Sequence, residues 1–266
     1  MSILVCPKCK TPLFDEGNSL FCQNRHCFDK SKYKYVNLLL QNGGQTHGDN
    51  KLMIKSRKSF LDKGYYCHLR VALCQSIIKY LSSGVILDAG CGEGYYTVNI
   101  KNALQTEAVY GIDVSRDAVH AASLRDKSLR LAVASIFDLP VPSESIDVLI
   151  NLFAPYDGKE FSRVLKEGGL LVRAFPAERH LWELKCAVYD TPYENEIDTL
   201  VLEGFVMVKK DFISFPLHLT SGAEIDSLFK MTPYYYKTSR DGQARLAALE
   251  NLQTHAEFYL VFYKKA

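Results

Sequence analysis

The first residues with the chemistry of a metal site lie close to the N-terminus. Cys6 and Cys9 form a C-x₂-C knuckle, Cys22 follows after twelve intervening residues, and His26 and Cys27 come soon afterwards. Two knuckle thiolates can share one zinc ion, and Cys22 with either His26 or Cys27 completes a tetrahedral set. Redox proteins also use C-x₂-C, but no thioredoxin-like βαβ pattern surrounds this pair. Four protein ligands leave no open position, so we expect structural zinc, without which so small a ribbon would not stay folded.

A second chemical pattern is a glycine-rich loop at the end of an apolar strand, in residues 85–97 (VILDAGCGEGYYT). Glycines let the backbone turn sharply and approach a ligand closely. Dinucleotide-binding folds use G-x-G-x-x-G to seat a pyrophosphate. Here the acidic Glu93 would repel a pyrophosphate but suits a ligand with a sulfonium and an amino group. The loop residues expected to contact such a ligand are Asp88, Gly90, Gly92, Glu93 and Gly94.

An acidic residue follows at the position that a nucleoside-binding fold requires. Asp113 ends the strand-like run VYGID about 20 residues beyond the glycine loop, the placement used to hold ribose hydroxyls. This combination resembles the class I S-adenosylmethionine-dependent methyltransferases, whose first motif matches D-x-G-C-G-E-G. The resemblance implies that Ser135 lies on the loop beside the adenine. The alternative is an ordinary βαβ turn without a ligand.

The elements that would position these residues alternate along the chain. Strand-length apolar runs lie at 85–87, 108–112, 129–133, 146–150 and 169–173, and helix-compatible segments separate them. This alternation predicts an α/β fold with a doubly wound, Rossmann-like parallel sheet. Two further strand-like runs and a helix are expected after residue 200. We therefore expect a zinc ribbon in residues 1–40, a linker and helical lid in 41–80, and a methyltransferase domain in 81–266.

The whole chain supports a narrower resemblance. Short motifs follow one another along the chain in this order: a CPxC knuckle, C-x₃-H, K-Y-x-Y-V-N-L, R-x-x-F-L-D-x-G-Y-Y, L-D-A-G-C-G-E-G-Y-Y-T, N-L-F-A-P, R-H-L-W-E-L-K and M-T-P. The chain is thus similar to the guanine-N1 methyltransferases of bacterial large-subunit ribosomal RNA, the RlmA group. This resemblance places the zinc ligands on Cys6, Cys9, Cys22 and His26. It places cofactor contacts on Tyr66, Gly92, Glu93 and His180.

The charge distribution indicates where a polyanion would bind. Residues 1–80 contain 13 Lys and Arg against 5 Asp and Glu, whereas residues 81–266 contain 19 against 25, which together give the net +2. A basic first third favours RNA binding, although a solvated surface is the simpler alternative. Residues 151–156 (NLFAPY) could grip a base through aromatic stacking or could simply pack. The RNA-binding candidates are Arg25, Lys34, Lys55, Arg57, Lys58, Phe153 and Tyr156.

The expected reaction is direct methyl transfer to guanine N1, which carries a proton at neutral pH. A general base would help to remove that proton, and Asp157, Glu178 and His180 are candidates by position. The target base must be unpaired or flipped, as in a large-subunit RNA hairpin loop. Two alternatives remain: a methyltransferase for a small molecule or protein, and a zinc-ribbon RNA-binding protein whose methyltransferase fold is inactive.

Composition and hydropathy indicate the class of protein and its expected location. Hydrophobic residues make up 47% and charged residues 23%, as in a globular protein with a core. No apolar run approaches the roughly 20 residues that span a bilayer, and the first residues lack a signal-peptide pattern. We therefore expect no membrane partner and a cytoplasmic location. The resemblance adds the expectation of a homodimer whose subunits together hold an RNA hairpin.

Overall fold

The computed structural model describes residues 3–40, 48–81, 83–106, 108–197 and 201–266. Most of the predicted linker, residues 41–47, lies outside the described residues. Within the described ranges the strands form two sheets, one of three strands and one of eight.

The small sheet contains the N-terminal cysteines. Its antiparallel strands are β1 (Leu13–Glu16), β2 (Ser19–Cys22) and β3 (Cys27–Asp29). Leu13 pairs with Cys22, and Phe21 pairs with Cys27. Short polar strands with few buried side chains supply little core, so the cysteine cluster is the natural source of stability for this unit.

The large sheet follows the predicted alternation. Its spatial order is β10-β11-β9-β8-β5-β6-β7-β4. From β9 to β4 neighbouring strands are parallel, as expected, whereas β11 is antiparallel to both of its neighbours. The chain proceeds from β5 through β6 to β7 and then returns to β8, so the topological switch point lies between β5 and β8. Ligands bind at such points, beyond the carboxyl ends of the strands. In chain order, the strands are β4 (Val36–Asn37), β5 (Ile86–Ala89), β6 (Val109–Asp113), β7 (Arg130–Val133), β8 (Ile146–Leu152), β9 (Leu165–Pro176), β10 (Phe205–Leu219) and β11 (Leu252–Lys265).

Strand β4 connects the N-terminal unit to the large sheet. Val36 and Asn37 pair in parallel with Ala132 and Val133 of β7, and the Leu38 amide donates to the Val133 carbonyl at 2.9 Å. The sequence pattern identifies residues 35–38 as β-prone but does not reveal this partner. Because β4 completes the edge of the large sheet, the zinc-binding unit is held against the α/β core.

The helices lie on both faces of the large sheet. Before the sheet, α1 and α2 form the predicted helical segment, and Gly64 (φ +83°) lies in the turn between them. Helix α1 packs against α7 and α4, and α2 packs against α3. The helices are α1 (Lys51–Asp62), α2 (Cys67–Tyr80), α3 (Tyr95–Leu104), α4 (Arg116–Arg125), α5 (Gly158–Val164), α6 (Trp182–Val188), α7 (Gly222–Lys230), α8 (Tyr234–Lys237) and α9 (Arg240–Ala247).

Adjacent residues of the central strand β5 pack into two different apolar layers, one on each face of the sheet. Ile86 packs with Leu73 and Ile77 of α2, and all three side chains are fully buried. Leu87 belongs to the layer on the opposite face, with Leu149 and Leu171. Because successive strand residues point to opposite faces, a strand covered on both sides must be apolar throughout. The run VIL before the glycine loop meets this requirement.

Candidate cofactor and zinc sites

The glycine loop, residues 90–94, follows β5 at the switch point of the large sheet. Gly90, Gly92 and Gly94 all adopt positive φ, at +92°, +54° and +83°. A Cβ on Gly90 would lie 2.5 Å from the Cβ of Ala154, and one on Gly94 would lie 2.9 Å from the Cβ of Ala122. The loop therefore requires glycine for both its backbone conformation and its close packing against the loop after β8.

Asp88, at the end of β5, supports this loop from below. Its carboxylate accepts a hydrogen bond of 2.6 Å from the Thr97 hydroxyl of α3, and only 2% of the residue is exposed. Burial raises the pKa of Asp88 to about 7, since removal from water disfavours the charged form. The predicted loop acid thus joins the strand to the helix that follows the glycines.

The predicted ribose acid, Asp113, is tied directly to the glycine loop. One oxygen accepts from the Gly92 amide at 2.9 Å, and the other accepts from the Ser115 amide at 2.8 Å. Burial raises the pKa of Asp113, although these hydrogen bonds favour its charged form. Ser135 follows the neighbouring strand β7, where its hydroxyl accepts from the Phe137 amide at 3.1 Å. The structure brings Asp113, Gly92 and the Ser135 turn to the same edge of the sheet.

Glu93 is buried and paired with an arginine that sequence reasoning missed. Its Oε2 accepts from Nε of Arg125, and Arg125 also forms an ion pair of 2.7 Å with Asp62 of α1. Glu93 is 2% exposed, and burial raises its pKa even though Arg125 opposes that shift. Its Oε1 has no hydrogen-bond partner among the described residues, so this oxygen is the one able to accept from a ligand. The network also fixes α1 against the glycine loop.

Tyr66 and His180, 114 residues apart, meet in an aromatic cluster. The Tyr66 hydroxyl lies 3.5 Å from Nε2 of His180, and the ring of Phe258 lies 5.0 Å from that of Tyr66 and 4.5 Å from that of His180. Both predicted cofactor contacts are buried. Nδ1 of His180 accepts from the Glu257 amide at 3.1 Å, and burial lowers the pKa of His180 to about 3. His180 is therefore neutral at pH 7, with its proton on Nε2.

The loop after β8 faces the same region. Asn151 donates to the carbonyls of Ala89 at 3.1 Å and Pro155 at 3.0 Å, which binds this loop to β5. Phe153 adopts a positive φ of +56°, is 44% exposed, and lies 5.3 Å from the Phe258 ring. A bulky side chain held in this conformation is an indicator of function. Tyr156 instead packs over the Arg173 guanidinium at 4.4 Å, which makes Phe153 the better candidate for base stacking.

The three candidates for the general base differ in their hydrogen bonds. Nδ1 of His180 is occupied by the Glu257 amide and Nε2 carries the proton, so the neutral ring has no lone pair left to accept one. Asp157 caps α5 by accepting from the Glu160 amide at 3.0 Å. Glu178 accepts from the Tyr259 hydroxyl at 3.2 Å. The two carboxylates each keep acceptor capacity, whereas His180 does not.

The basic RNA-binding candidates do not form one group. Arg25 and Lys34 are exposed at tight turns of the N-terminal unit, with φ of +60° and +69°. Lys55 is exposed on α1, and Lys58 pairs with Asp62 of the same helix at 2.7 Å. A cleft of about 710 Å³ lies between the N-terminal unit and the edge of the large sheet. The basic residues lining this cleft are Lys30, Lys32, Lys34, Lys127 and Arg130.

The N-terminal ligand cluster has the dimensions of a zinc site. Nδ1 of His26 lies 3.4 Å from Sγ of both Cys6 and Cys22, and Sγ of Cys9 lies 3.7 Å from that of Cys22. Zinc–ligand bonds of about 2.0–2.3 Å in a tetrahedron give edges of roughly 3.5–3.8 Å, which match these distances. Cys27 is exposed and its Sγ contacts Asp29, so the geometry favours His26 as the fourth ligand.

The thiol chemistry of this cluster also suits a metal. The contact between Sγ of Cys9 and the Thr11 hydroxyl, at 3.1 Å, lowers the pKa of Cys9 to about 5. Burial raises the pKa of Cys6, which disfavours a thiolate there unless a cation is present. Zn²⁺ would supply that cation, bound by Cys6, Cys9, Cys22 and His26. With all four positions taken by protein, the ion would stabilise the fold.

Comparison with known proteins extends these observations to both parts of the chain. The zinc-ribbon family model "RlmA, N-terminal" matches residues 4–42, and the model "Methyltransferase domain" matches residues 86–169. A Bacillus subtilis strain 168 protein, provisionally named a 23S rRNA (guanine-N1)-methyltransferase, is 30% identical over 95% of this chain and 93% of its own length. The Streptomyces fradiae 23S rRNA (guanine(748)-N1)-methyltransferase is 31% identical over 68% of this chain and 66% of its own.

Solved structures share the fold. The YcgJ protein of Bacillus subtilis aligns with a TM-score of 0.50 at 15% identity, covering 74% of this chain and 98% of YcgJ. A chain from the complex of the Haloferax volcanii Trm112 methyltransferase activator with a provisionally assigned methyltransferase aligns at 0.51 and 16% identity, covering 82% and 99%. The predicted α/β fold class with a zinc-ribbon unit is confirmed. None of the helices in the described part of the chain is both long and apolar enough to cross a bilayer.

Proposed function

Because the chain belongs to the family of 23S rRNA guanine-N1 methyltransferases with an RlmA-type zinc ribbon, we propose that it methylates N1 of a guanine in a hairpin loop of large-subunit ribosomal RNA. The methyl donor is S-adenosylmethionine. The observation that supports this most directly is two contacts at the carboxyl edge of the sheet, Gly92 with Asp113 and Tyr66 with His180, in a chain that also has the zinc cluster. A small-molecule methyltransferase would need the cofactor-site contacts but not the zinc cluster.

The residues around the switch point suit the parts of the proposed cofactor. Asp113, bonded to the Gly92 amide, would hold ribose hydroxyls, and Ser135 lies on the turn after the next strand. Tyr66, His180 and Phe258 provide an aromatic wall, whose ring faces attract a cation such as a sulfonium. S-adenosylmethionine supplies an electrophilic methyl group and leaves as a neutral thioether. These side chains hold the donor and exclude water, so positioning provides much of the acceleration.

The acceptor must lose the proton of guanine N1 as the N–C bond forms. His180 is unsuited to remove it, since its proton is on Nε2 and its Nδ1 is already bonded. Asp157 and Glu178 remain as candidates for the general base. Phe153, exposed on a strained backbone beside Phe258, would stack on the flipped guanine, and its neighbour Tyr156 would support the loop from Arg173.

The basic surface suits the rest of the RNA. Lys34 of the ribbon faces Lys127, just before β7, and Arg130 of β7 across the 710 Å³ cleft, and Arg25 adds an exposed positive charge elsewhere on the ribbon. Contacts of this kind give affinity and orientation without reading sequence, and they weaken steeply as salt rises. We propose a cytoplasmic location from this substrate, and a homodimer that widens the basic surface remains a prediction.

The decisive test uses labelled S-adenosylmethionine and bacterial large-subunit RNA that lacks its native modifications. We expect one N1-methylguanine in a hairpin loop, located by mapping of the modified base. Turnover with small molecules or proteins in the absence of RNA would support the first alternative. RNA binding without detectable S-adenosylmethionine binding would support the second, an inactive methyltransferase fold on an RNA-binding protein.

A further inference from the structure

Arg57 does not lie where an RNA-phosphate contact is expected. Its neighbours on α1, Lys51 and Lys55, are exposed, but the Arg57 side chain is only 27% exposed and turns toward the glycine loop. A Cβ added to Gly92 would lie 3.8 Å from Nη1 of Arg57. The guanidinium therefore lies beside the second glycine of the loop, within the region proposed to hold S-adenosylmethionine.

The groups around Arg57 are mainly acidic. Nη1 is paired with the Asp49 carboxylate, and the negative charges of Glu93 and Asp113 oppose the lowering of its pKa by burial. Nη2 makes only a long contact of 3.4 Å with the Met231 carbonyl. A guanidinium has five N–H donors, and no other hydrogen bond from Arg57 is found within the described part of the chain. Donors thus remain for a ligand.

A second polar group near Arg57 is also unsatisfied. The Tyr96 hydroxyl is buried and has no hydrogen-bond partner among the described residues. Its charge interactions include Arg57 and Glu93, so it belongs to the same region. Buried hydroxyls without partners are uncommon in folded proteins, and one beside a cation at a glycine loop indicates a position that a ligand's acceptor fills.

S-adenosylmethionine has one anionic group, the carboxylate of its methionine part. Asp113 suits ribose hydroxyls and Glu93 suits the sulfonium or ammonium, but both acids would repel a carboxylate. Arg125, another guanidinium at this loop, is already paired with both Glu93 and Asp62. We propose that Arg57 binds the methionine carboxylate of S-adenosylmethionine, with the Tyr96 hydroxyl as a second donor. This assignment rests on the proposed function, because it concerns the cofactor of that reaction.

The test compares two ligands that differ only in the carboxylate: S-adenosylmethionine and decarboxylated S-adenosylmethionine. The unmodified protein should bind the first about 10- to 150-fold more tightly, the range expected for hydrogen bonds to a charged group. Arg57→Gln should lose that preference, weakening S-adenosylmethionine while leaving the decarboxylated ligand within about twofold. Arg57→Lys, which keeps the charge, should restore part of it. Lys51→Gln, at an exposed position of the same helix, is the matched control and should change neither affinity.

Three results would overturn the assignment. One is equal binding of the two ligands by the unmodified protein, a measurement that needs no variant. Another is an equal loss for both ligands in Arg57→Gln, which indicates that Arg57 only supports the fold through Asp49. The third is weaker binding of RNA by Arg57→Gln with cofactor affinity intact, which would return Arg57 to the phosphate contacts. Failure of the unmodified protein to bind S-adenosylmethionine at all would contradict the proposed function itself.

Discussion

Replacement of Arg125 by methionine should destabilise the protein because it leaves a carboxylate buried without its partner. The Glu93 side chain is 1% exposed, and its Oε2 depends on Arg125. Removal of one partner from a buried ion pair costs about 3–5 kcal/mol, since the remaining charge is not solvated. For a chain of this size, this corresponds to a fall in melting temperature of roughly 6–20 °C. Urea denaturation followed by circular dichroism measures the free energy of unfolding directly.

The double variant distinguishes the buried charge from a simple loss of packing. Glu93→Gln alone should cost less, about 1 kcal/mol, because Arg125 keeps its 2.7 Å ion pair with Asp62. Arg125→Met combined with Glu93→Gln removes the unpaired charge, so the pair should be more stable than Arg125→Met alone. If the double variant loses the sum of the two single losses, the reasoning from buried charge is refuted.

The effect should also depend on pH in a definite direction. Burial raises the pKa of Glu93 in the folded protein, and loss of Arg125 raises it further. The folded state then keeps a proton that the unfolded carboxyl releases above about pH 4.3. The penalty is therefore complete above the folded-state pKa and declines by about 1.4 kcal/mol per pH unit as the pH falls toward 4.3. A penalty that grows with acidification would contradict this.

The zinc cluster, the glycine loop and His180 each lead to a further prediction. Cys22→Ala should abolish zinc binding and unfold the ribbon, whereas Cys27→Ala should leave one zinc per chain, as measured by metal analysis and proteolysis of the N-terminal segment. Gly94→Ala should abolish S-adenosylmethionine binding in calorimetry, since its Cβ would lie 2.9 Å from that of Ala122, while Gly168→Ala, with nothing within 4 Å, should cost only about 1 kcal/mol of stability. His180 has a folded pKa of about 3, below its unfolded 6.5, so its contribution to stability is complete above pH 6.5 and is lost at about 1.4 kcal/mol per unit below it. In His180→Asn the amide oxygen can still accept from the backbone, but the urea midpoint should no longer fall with pH below 6.5. If the midpoint of this variant falls with pH as steeply as that of the unmodified protein, His180 is not the group responsible.

Local patterns in the sequence predicted the elements well, because the information they use is local. Apolar runs separated by helical periodicity identified β5 through β9, and glycines at close spacing identified the loop. The C-x₂-C and C-x₃-H spacings identified the zinc cluster. Contacts between elements distant in the chain were not predicted. The pairing of Val36 with Ala132 and the ion pair between Glu93 and Arg125 join segments whose sequences carry no mark of their partners.

Arg57 shows why charge counting alone cannot distinguish the roles of cations on one helix. Helix α1 is basic, and composition alone makes each of its cations an equal candidate for contact with an RNA phosphate. The helical period turns Lys55 toward solvent and Arg57 toward the protein interior. Only the packing of α1 on α4 and α7 shows that the interior side of this helix faces the glycine loop. Packing fixes the position of a charge, and position decides which anion the charge can bind.

The segment from Arg57 to Tyr66 acts as a unit in the construction of the site. Arg57 reaches Gly92, Asp62 pairs with Arg125 beside Glu93, and the turn at Gly64 directs Tyr66 toward His180. These three contacts connect one stretch of ten residues to the loop after β5, to α4 and to the turn after β9. The loop and α4 already meet through Glu93 and Arg125, so the segment adds the turn after β9 to that arrangement and braces all three. Positioning therefore explains three residues of the R-x-x-F-L-D-x-G-Y-Y pattern: Arg57, Asp62 and Tyr66 each contact a different part of the proposed cofactor site.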